Sequence, residues 1–165
     1  MAARDTRVVL ALVSVVCVIA VAGALLAQHR LGMQPCPWCI LQRIQFLLIA
    51  AVAALGALFG PPLGGRIIPR LAAWLIVPVA ASGAAAAWYQ HFVAARSSSC
   101  NLTLADRIIS GLQLDTAWPD IFEVRASCAD AAAQLAGMPF EFWSLGLFVL
   151  LVATGLWCAL RADGR

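Results

Sequence analysis

Four long apolar stretches dominate this chain of 165 residues. They cover residues 8–27, 42–59, 70–89 and 142–160. A membrane-spanning helix needs about 20 mostly apolar residues, because the hydrocarbon layer is about 30 Å thick and each residue rises about 1.5 Å. Backbone polar groups in lipid must bond within their own segment, so each stretch is predicted to be helical. The predicted fold class is an all-α membrane protein built as a four-transmembrane-helix bundle.

The composition agrees with a single membrane domain over residues 1–165. The chain is 63% hydrophobic and 12% charged, whereas a soluble domain is about half apolar and about a quarter charged. Its net charge of +3 comes from scattered Arg residues without a basic stripe, so no nucleic-acid binding is expected. The first stretch follows Arg4 and Arg7 as a signal peptide would. Its apolar core is too long and no cleavage site follows, so it is predicted to be a span.

The distribution of Arg predicts the orientation, because cytoplasmic loops of membrane proteins are enriched in positive charge. Segments 1–7, 60–69 and 161–165 are therefore predicted to be cytoplasmic, with both chain termini. Loops 28–41 and 90–141 then lie on the outer, periplasmic side. The basic residues that support this assignment are Arg4, Arg7, Arg66, Arg70, Arg161 and Arg165.

The six cysteines fall into two groups. Cys17 and Cys158 lie inside predicted spans, where a free cysteine behaves as a small hydrophobic residue, so a packing role is expected. The other four lie in the outer loops, where an oxidising compartment favours disulfides. These are Cys36, Cys39, Cys100 and Cys128.

Cys36-Pro37-Trp38-Cys39 has the Cys-x-x-Cys spacing that supports reversible thiol–disulfide exchange. It is placed where the first outer loop enters the second helix. A helix N-terminus stabilises negative charge, which favours the thiolate of Cys39. These features predict a redox-active pair at the membrane surface.

The outer cysteines have two other interpretations. A zinc site of four cysteines usually has two closely spaced pairs, whereas Cys100 and Cys128 are far apart and no His is adjacent to either. No metal is therefore predicted. A permanent structural disulfide between Cys100 and Cys128 stays open from the residues alone.

Polar residues accompany the thiol pair. Arg43 follows Cys39 by four residues, so the two share a helix face about 6 Å apart. Arg43 either extends to the interface or stabilises the thiolate and donates hydrogen bonds to the oxygen of an electron acceptor. Gln42 is a candidate for the same pocket. His91, at the outer end of the third span, is either an interfacial residue or a hydrogen-bond donor and proton relay beside that acceptor.

With these residues in view, the chain resembles the disulfide bond formation protein B family of bacterial inner-membrane oxidoreductases. The resemblance rests on the run from Pro35 to Arg43, Tyr89-Gln90-His91, the two loop cysteines, Met138-Pro139 and Trp143-Ser144-Leu145. It covers nearly the whole chain. Some members have Glu where this chain has Gln42, so no role that needs a carboxylate at this position is carried over.

The resemblance implies a protein-disulfide:quinone oxidoreductase with redox-active pairs Cys36–Cys39 and Cys100–Cys128. It implies that a ubiquinone or menaquinone lies near Arg43, with Gln42 and His91 as further quinone-binding candidates. The implied partner is a soluble periplasmic thiol oxidase of the thioredoxin-like DsbA type. The implied location is the bacterial inner membrane, with the active site on the periplasmic side, and a monomer is expected.

Three alternatives remain open at this point. The chain could be a relative dedicated to one substrate, or a non-enzymatic membrane scaffold with structural disulfides. It could also carry reducing equivalents outward, although that activity normally needs redox cysteines accessible from the cytosol, and only Cys158 lies towards that side.

Overall fold

The computed structural model describes residues 2–59, 65, 67–96, 103–131, 134–135 and 137–161, with the backbone alone at residues 2–5, 135 and 161. Most of these residues are helical, and a single 3₁₀ turn occurs within them at Ala94–Arg96. In chain order the helices are α1 (Ala2–Leu31), α2 (Pro37–Phe59), α3 (Ile67–Phe92), α4 (Leu104–Gly111), α5 (Leu114–Ala117), α6 (Pro119–Phe122) and α7 (Phe140–Arg161). Two short strands, β1 (Gln134–Leu135) and β2 (Met138–Pro139), form an antiparallel pair.

The helices α1, α2, α3 and α7 are long and apolar enough to cross a membrane. Each of the four apolar stretches of the sequence lies inside one of them, so the prediction of an all-helical fold with four such helices is confirmed. Large apolar side chains stay exposed along these helices, among them Leu12 at 58%, Ile19 at 63% and Leu150 at 64%. Exposed apolar surface of this extent is typical of a protein that faces lipid.

Local chemistry accounts for where the helices start and stop. Gly32 follows α1 with φ 68°, a left-handed conformation that glycine adopts without strain, and the N–H of Met33 donates to the carbonyl oxygen of Ala27 at 3.3 Å. Pro37 opens α2, where its missing N–H leaves no hydrogen bond unmade. Pro78 lies within α3, which continues through it.

The segment that joins α3 to α7 corresponds to the predicted outer loop 90–141 and has secondary structure of its own. It contains α4, α5, α6 and the β1–β2 pair within the described residues. Helix α4 begins with a capping box, in which the N–H of Thr103 donates to Asp106 Oδ2 at 2.8 Å and the N–H of Asp106 donates to Thr103 Oγ1 at 3.3 Å. The turn between the strands contains Gly137 at φ 79°, another left-handed position.

The chain divides into two compact units. The first comprises Met1–Val21, Gln45–Ser82 and Leu147–Arg165. Within it the rings of Phe46 and Phe148 stack at a centroid distance of 4.1 Å. Cys17 and Cys158 are both fully buried in this unit, consistent with packing positions.

The second unit comprises Ala22–Ile44 and Gly83–Gly146. It contains every described residue that the sequence nominated for the functional site, together with a buried cluster around Cys36. The cluster consists of Cys36, Trp38, Leu41, Ala86, Ala94 and Ala105, with Cys39 and Cys128 packed against it.

Candidate functional site

Cys36 lies between two other cysteine side chains. Its sulfur is 2.9 Å from the sulfur of Cys39, and Cys128 packs against the buried cluster that contains Cys36, close enough for each of these two thiols to shift the pKa of the other. Helix α2 begins one residue after Cys36, and a spacing of three residues brings the two sulfurs of the Cys-x-x-Cys together across its first turn. Cys36 itself is fully buried. The arrangement therefore joins the Cys-x-x-Cys pair to a cysteine that is distant in sequence.

Cys36 and Cys128 both lie outside helix α2, and their thiol pKa values are shifted in opposite directions. The bond with Cys128, the bond with Cys39 and burial, in that order, raise the pKa of the Cys36 thiol above its ordinary value. The same bond with Cys36, helped by the backbone N–H of Trp38, lowers the pKa of Cys128. Cys36 is therefore the proton donor of this pair, and Cys128 is the sulfur that more readily becomes a thiolate.

Backbone hydrogen bonds hold the segment before Cys128 against the loop before α2. The carbonyl oxygen of Pro35 accepts from the N–H of Arg125 at 3.0 Å and from the N–H of Ala126 at 3.3 Å. Pro35 directly precedes Cys36, and Ala126 lies two residues before Cys128. These contacts bring two cysteine-bearing segments together through main-chain groups, which depend little on side-chain identity.

A chain of two amides leads to the sulfur of Cys39. Gln42 Nε2 donates to Gln90 Oε1 at 2.7 Å, and Gln90 Nε2 donates to Cys39 Sγ at 3.2 Å. Both glutamines are buried, at 4% and 6% exposure. Gln42 donates a hydrogen bond here, and an ionised carboxylate at the same position could not, because it only accepts hydrogen bonds.

Arg43 is buried and binds two groups through one nitrogen. Its Nη1 donates to Gln28 Oε1 and to the carbonyl oxygen of Ile121, both at 2.8 Å. Gln28 Nε2 in turn donates to the carbonyl oxygen of Asp120 at 3.4 Å. Arg43 also lies close enough to Cys39 to interact with it electrostatically. The guanidinium thus connects the thiol pair to helix α6.

Trp38 contributes a donor with no acceptor. Its Nε1 is buried and has no hydrogen-bond partner within the described structure. The indole ring packs on Tyr89 at a centroid distance of 4.7 Å. A buried N–H without a partner costs about 1–3 kcal/mol, so this indole is suited to an oxygen supplied from outside the chain.

His91 contacts a carboxylate. Its Nδ1 lies 2.7 Å from Glu141 Oε1, and Glu141 is buried at 7% exposure. The imidazole also packs on the ring of Phe142 at a centroid distance of 4.6 Å. The pair joins the end of α3 to the start of α7.

The structure brings together most of the site residues that the sequence nominated. Cys36, Cys39 and Cys128 form one cluster, and Gln42 and Arg43 lie beside it. Cys100 lies outside the described residues. His91 contacts Glu141.

Besides Trp38, sequence reasoning missed three polar residues of the site: Gln28, Gln90 and Glu141. Each is a polar side chain inside or at the edge of an apolar helix, which is the signal that could have identified them, because a polar group there needs a partner.

Comparison with known proteins gives a consistent result. A family model described as disulfide bond formation protein DsbB matches residues 6–158. A disulfide bond formation protein B 1 of Pseudomonas savastanoi pv. phaseolicola is 34% identical over 159 residues, which are 96% of this chain and 92% of that protein. A disulfide bond formation protein B of Nitrosomonas europaea is 30% identical over 155 residues, which are 92% of this chain and 93% of that protein.

Proposed function

The chain belongs to the DsbB family of disulfide bond formation proteins, and from this premise we propose that it is a protein-disulfide:quinone oxidoreductase. In this proposal it re-oxidises a soluble periplasmic thiol oxidase of the DsbA type and passes the electrons to a membrane quinone. The observation that carries the proposal is the contact of Cys36 with both Cys39 and Cys128.

The contact supports a thiol–disulfide exchange between two pairs. A thiolate of the reduced partner attacks Cys100 of a Cys100–Cys128 disulfide, and Cys128 leaves as a thiolate. Cys128 then attacks the sulfur of Cys36 in a Cys36–Cys39 disulfide, and Cys39 leaves as a thiolate. The lowered pKa of Cys128 favours the attacking form, and Gln90 and Arg43 are placed to stabilise the departing charge on Cys39.

The remaining exchanges restore the loop pair. The second thiol of the partner attacks the partner sulfur of the mixed disulfide, so the partner leaves oxidised and Cys100 is released. Cys100 then attacks Cys128, the Cys100–Cys128 disulfide forms again, and Cys36 is released as the thiol that its raised pKa favours. Two electrons now reside on Cys36 and Cys39, which sit next to each other.

The residues near Cys39 fit a quinone. When bound, a quinone accepts two electrons and two protons as the Cys36–Cys39 disulfide forms. The buried Nε1–H of Trp38 has no acceptor among the described residues, so it is free to donate to a quinone carbonyl oxygen. Arg43 supplies a buried positive charge close to Cys39, and Gln42 orients Gln90 towards the sulfur.

The distribution of Arg residues supports an orientation of the protein in the membrane. We place both termini and the α2–α3 turn in the cytoplasm on the basis of their Arg residues, and Cys36, Cys39, Cys100 and Cys128 on the periplasmic side of the bacterial inner membrane. That compartment is kept oxidising. The segment between α3 and α7 is then the docking surface for the soluble partner.

The test is electron transfer by the purified protein in detergent. A reduced DsbA-type protein and a ubiquinone analogue are supplied, and partner thiols and quinone absorbance are followed together. Cys39→Ala should abolish quinone reduction, whereas Cys17→Ala, a matched change at a buried cysteine outside the cluster, should retain it. Equal rates in the two variants, or partner oxidation without quinone reduction, would refute the proposal.

The same variants separate the alternatives. A scaffold with structural disulfides predicts that Cys36→Ala and Cys39→Ala lower thermal stability, with no electron flow in the unmodified protein. A relative dedicated to one substrate predicts turnover with one thiol partner and none with a panel of others. A zinc site predicts bound metal that a chelator removes.

A further inference from the structure

A buried carboxylate holds one edge of the His91 ring. Glu141 Oε1 lies 2.7 Å from Nδ1, and the side chains of Glu141 and His91 are 8% and 28% exposed. Phe92 meets the ring edge-on at a centroid distance of 4.8 Å, and Phe142 packs on it at 4.6 Å. A carboxylate at this depth is unfavourable unless it is hydrogen-bonded. The contact with Nδ1 therefore fixes the orientation of the imidazole, while part of the ring stays accessible.

We infer that Glu141 is a positioning residue that keeps a hydrogen on Nδ1 of His91 and so reserves Nε2 for proton transfer to the electron acceptor. This inference deepens the proposed function and rests on it. A neutral imidazole carries one N–H, and the hydrogen bond made by one nitrogen decides which nitrogen has the hydrogen. With Nδ1–H donated to Glu141, Nε2 is the nitrogen that gains and loses a proton.

The position of His91 fits this role. Gln90 directly precedes it in α3 and donates to Cys39 Sγ at 3.2 Å, so the same helix end contacts the sulfur that supplies the electrons. Oxidation of the Cys36 thiol and the Cys39 thiolate to a disulfide releases two electrons and one proton. A quinone takes up two of each, so a second proton is required. His91 takes up a proton from water at Nε2 and then delivers it to the acceptor, which returns the ring to its neutral form with the hydrogen on Nδ1.

The ring can be observed directly, without turnover. The chain has two histidines, so His29→Gln leaves His91 as the one histidine in a sample labelled with ¹⁵N-histidine. The spectrum is recorded on the neutral ring. The pH is raised until a further increase no longer changes the spectrum. In the unmodified protein we expect the ¹⁵N chemical shift of Nδ1 to be that of a nitrogen that carries hydrogen. In Glu141→Leu we expect this chemical shift to move towards that of a nitrogen without hydrogen. A hydrogen-free Nδ1 in the unmodified protein, or identical spectra in both proteins, would overturn the inference.

Kinetics provide the second readout. Glu141→Leu should lower kcat for quinone reduction at least about tenfold and leave KM for the quinone unchanged, because a group that acts in proton transfer contributes to the transition state alone. Glu141→Gln, whose amide oxygen accepts the same hydrogen, should recover most of the rate. Glu123→Leu, at the other glutamate of the chain and exposed, is the control and should match the unmodified protein.

The two proposals fail in different ways. Absence of quinone reduction by the unmodified protein refutes the proposed function, and the ring spectra still decide whether Glu141 sets the hydrogen on Nδ1. Normal turnover in Glu141→Leu refutes the positioning role and leaves the proposed function standing.

Discussion

The hydrogen bond from Gln90 to Cys39 predicts a measurable shift in the reduction potential of the Cys36–Cys39 pair. Gln90 Nε2 donates to Cys39 Sγ at 3.2 Å. This bond stabilises the reduced form, because a thiol or thiolate sulfur accepts a hydrogen bond better than a sulfur in a disulfide does. Gln90→Leu removes the donor and keeps a side chain of similar volume. The disulfide should then become harder to reduce, so its potential becomes more negative.

The magnitude follows from the strength of the bond. A hydrogen bond contributes about 0.5–1.5 kcal/mol between neutral groups and about 1.5–3 kcal/mol when one group is charged. For a two-electron couple, about 1.4 kcal/mol corresponds to about 30 mV. The full range is therefore roughly 10–65 mV. Sulfur is a weak acceptor, so we expect Gln90→Leu to lower the reduction potential by an amount in the lower half of this range, about 10–30 mV.

The assay isolates one pair of cysteines. In a Cys100→Ala, Cys128→Ala background, detergent-solubilised protein is equilibrated in glutathione buffers, quenched in acid and treated with a maleimide that adds mass to free thiols. Gln45→Leu is the matched control, because Gln45 lies in α2, the helix that contains Cys39, and its Nε2 donates to Ser82 Oγ at 3.1 Å rather than to a sulfur. The control should keep the potential of the background protein. An unchanged or more positive potential in Gln90→Leu would refute the assignment of Gln90 as a stabiliser of the reduced pair.

Two further predictions concern the loop cysteine and the helix packing. Alkylation of Cys128 in the reduced protein should have its pH midpoint below the ordinary thiol value of about 8.5, because the hydrogen bond with Cys36 lowers the pKa of Cys128. Cys36→Ala should raise this midpoint, measured by peptide mass spectrometry, and an unchanged midpoint would contradict the role of Cys36. Gly56→Ala would place a methyl group 2.6 Å from Cβ of Ala72 and should lower stability by about 1–3 kcal/mol in thermal unfolding. A methyl group added at Gly23 meets nothing within 4 Å, so Gly23→Ala is the control. Equal melting temperatures of the Gly56→Ala and Gly23→Ala proteins would show that the close contact at Gly56 does not affect stability.

The parts of the fold that the sequence predicts are those set by local physics. A hydrocarbon layer demands long apolar helices, so the four stretches are visible from composition alone. The contact between Cys36 and Cys39 follows from a spacing of three residues at the first turn of α2. Arg43 is one helical turn from Cys39, so its electrostatic interaction with that sulfur is also a local consequence.

The parts that the sequence does not predict depend on contacts between distant segments. Cys128 meets Cys36 because main-chain N–H groups of Arg125 and Ala126 bind the carbonyl oxygen of Pro35. Any residue except proline offers the same N–H, so no pattern of side chains marks the contact in advance. Helices α5 and α6 are four residues each, too short for hydrophobic periodicity to reveal them.

Polar side chains in apolar helices are partly predictable from the sequence. Gln28, Gln42, Arg43 and Gln90 are each buried in long helices whose other residues are mostly apolar. Leaving such a group without a partner is expensive in lipid, so the sequence implies that each has one, although it does not say which. The partners of Arg43 are 15 and 78 residues away, and the partner of Gln42 is 48 residues away. Pairing these polar residues across helices is therefore the step that turns a local motif into a site, and in this chain the resulting network leads to the sulfur of Cys39.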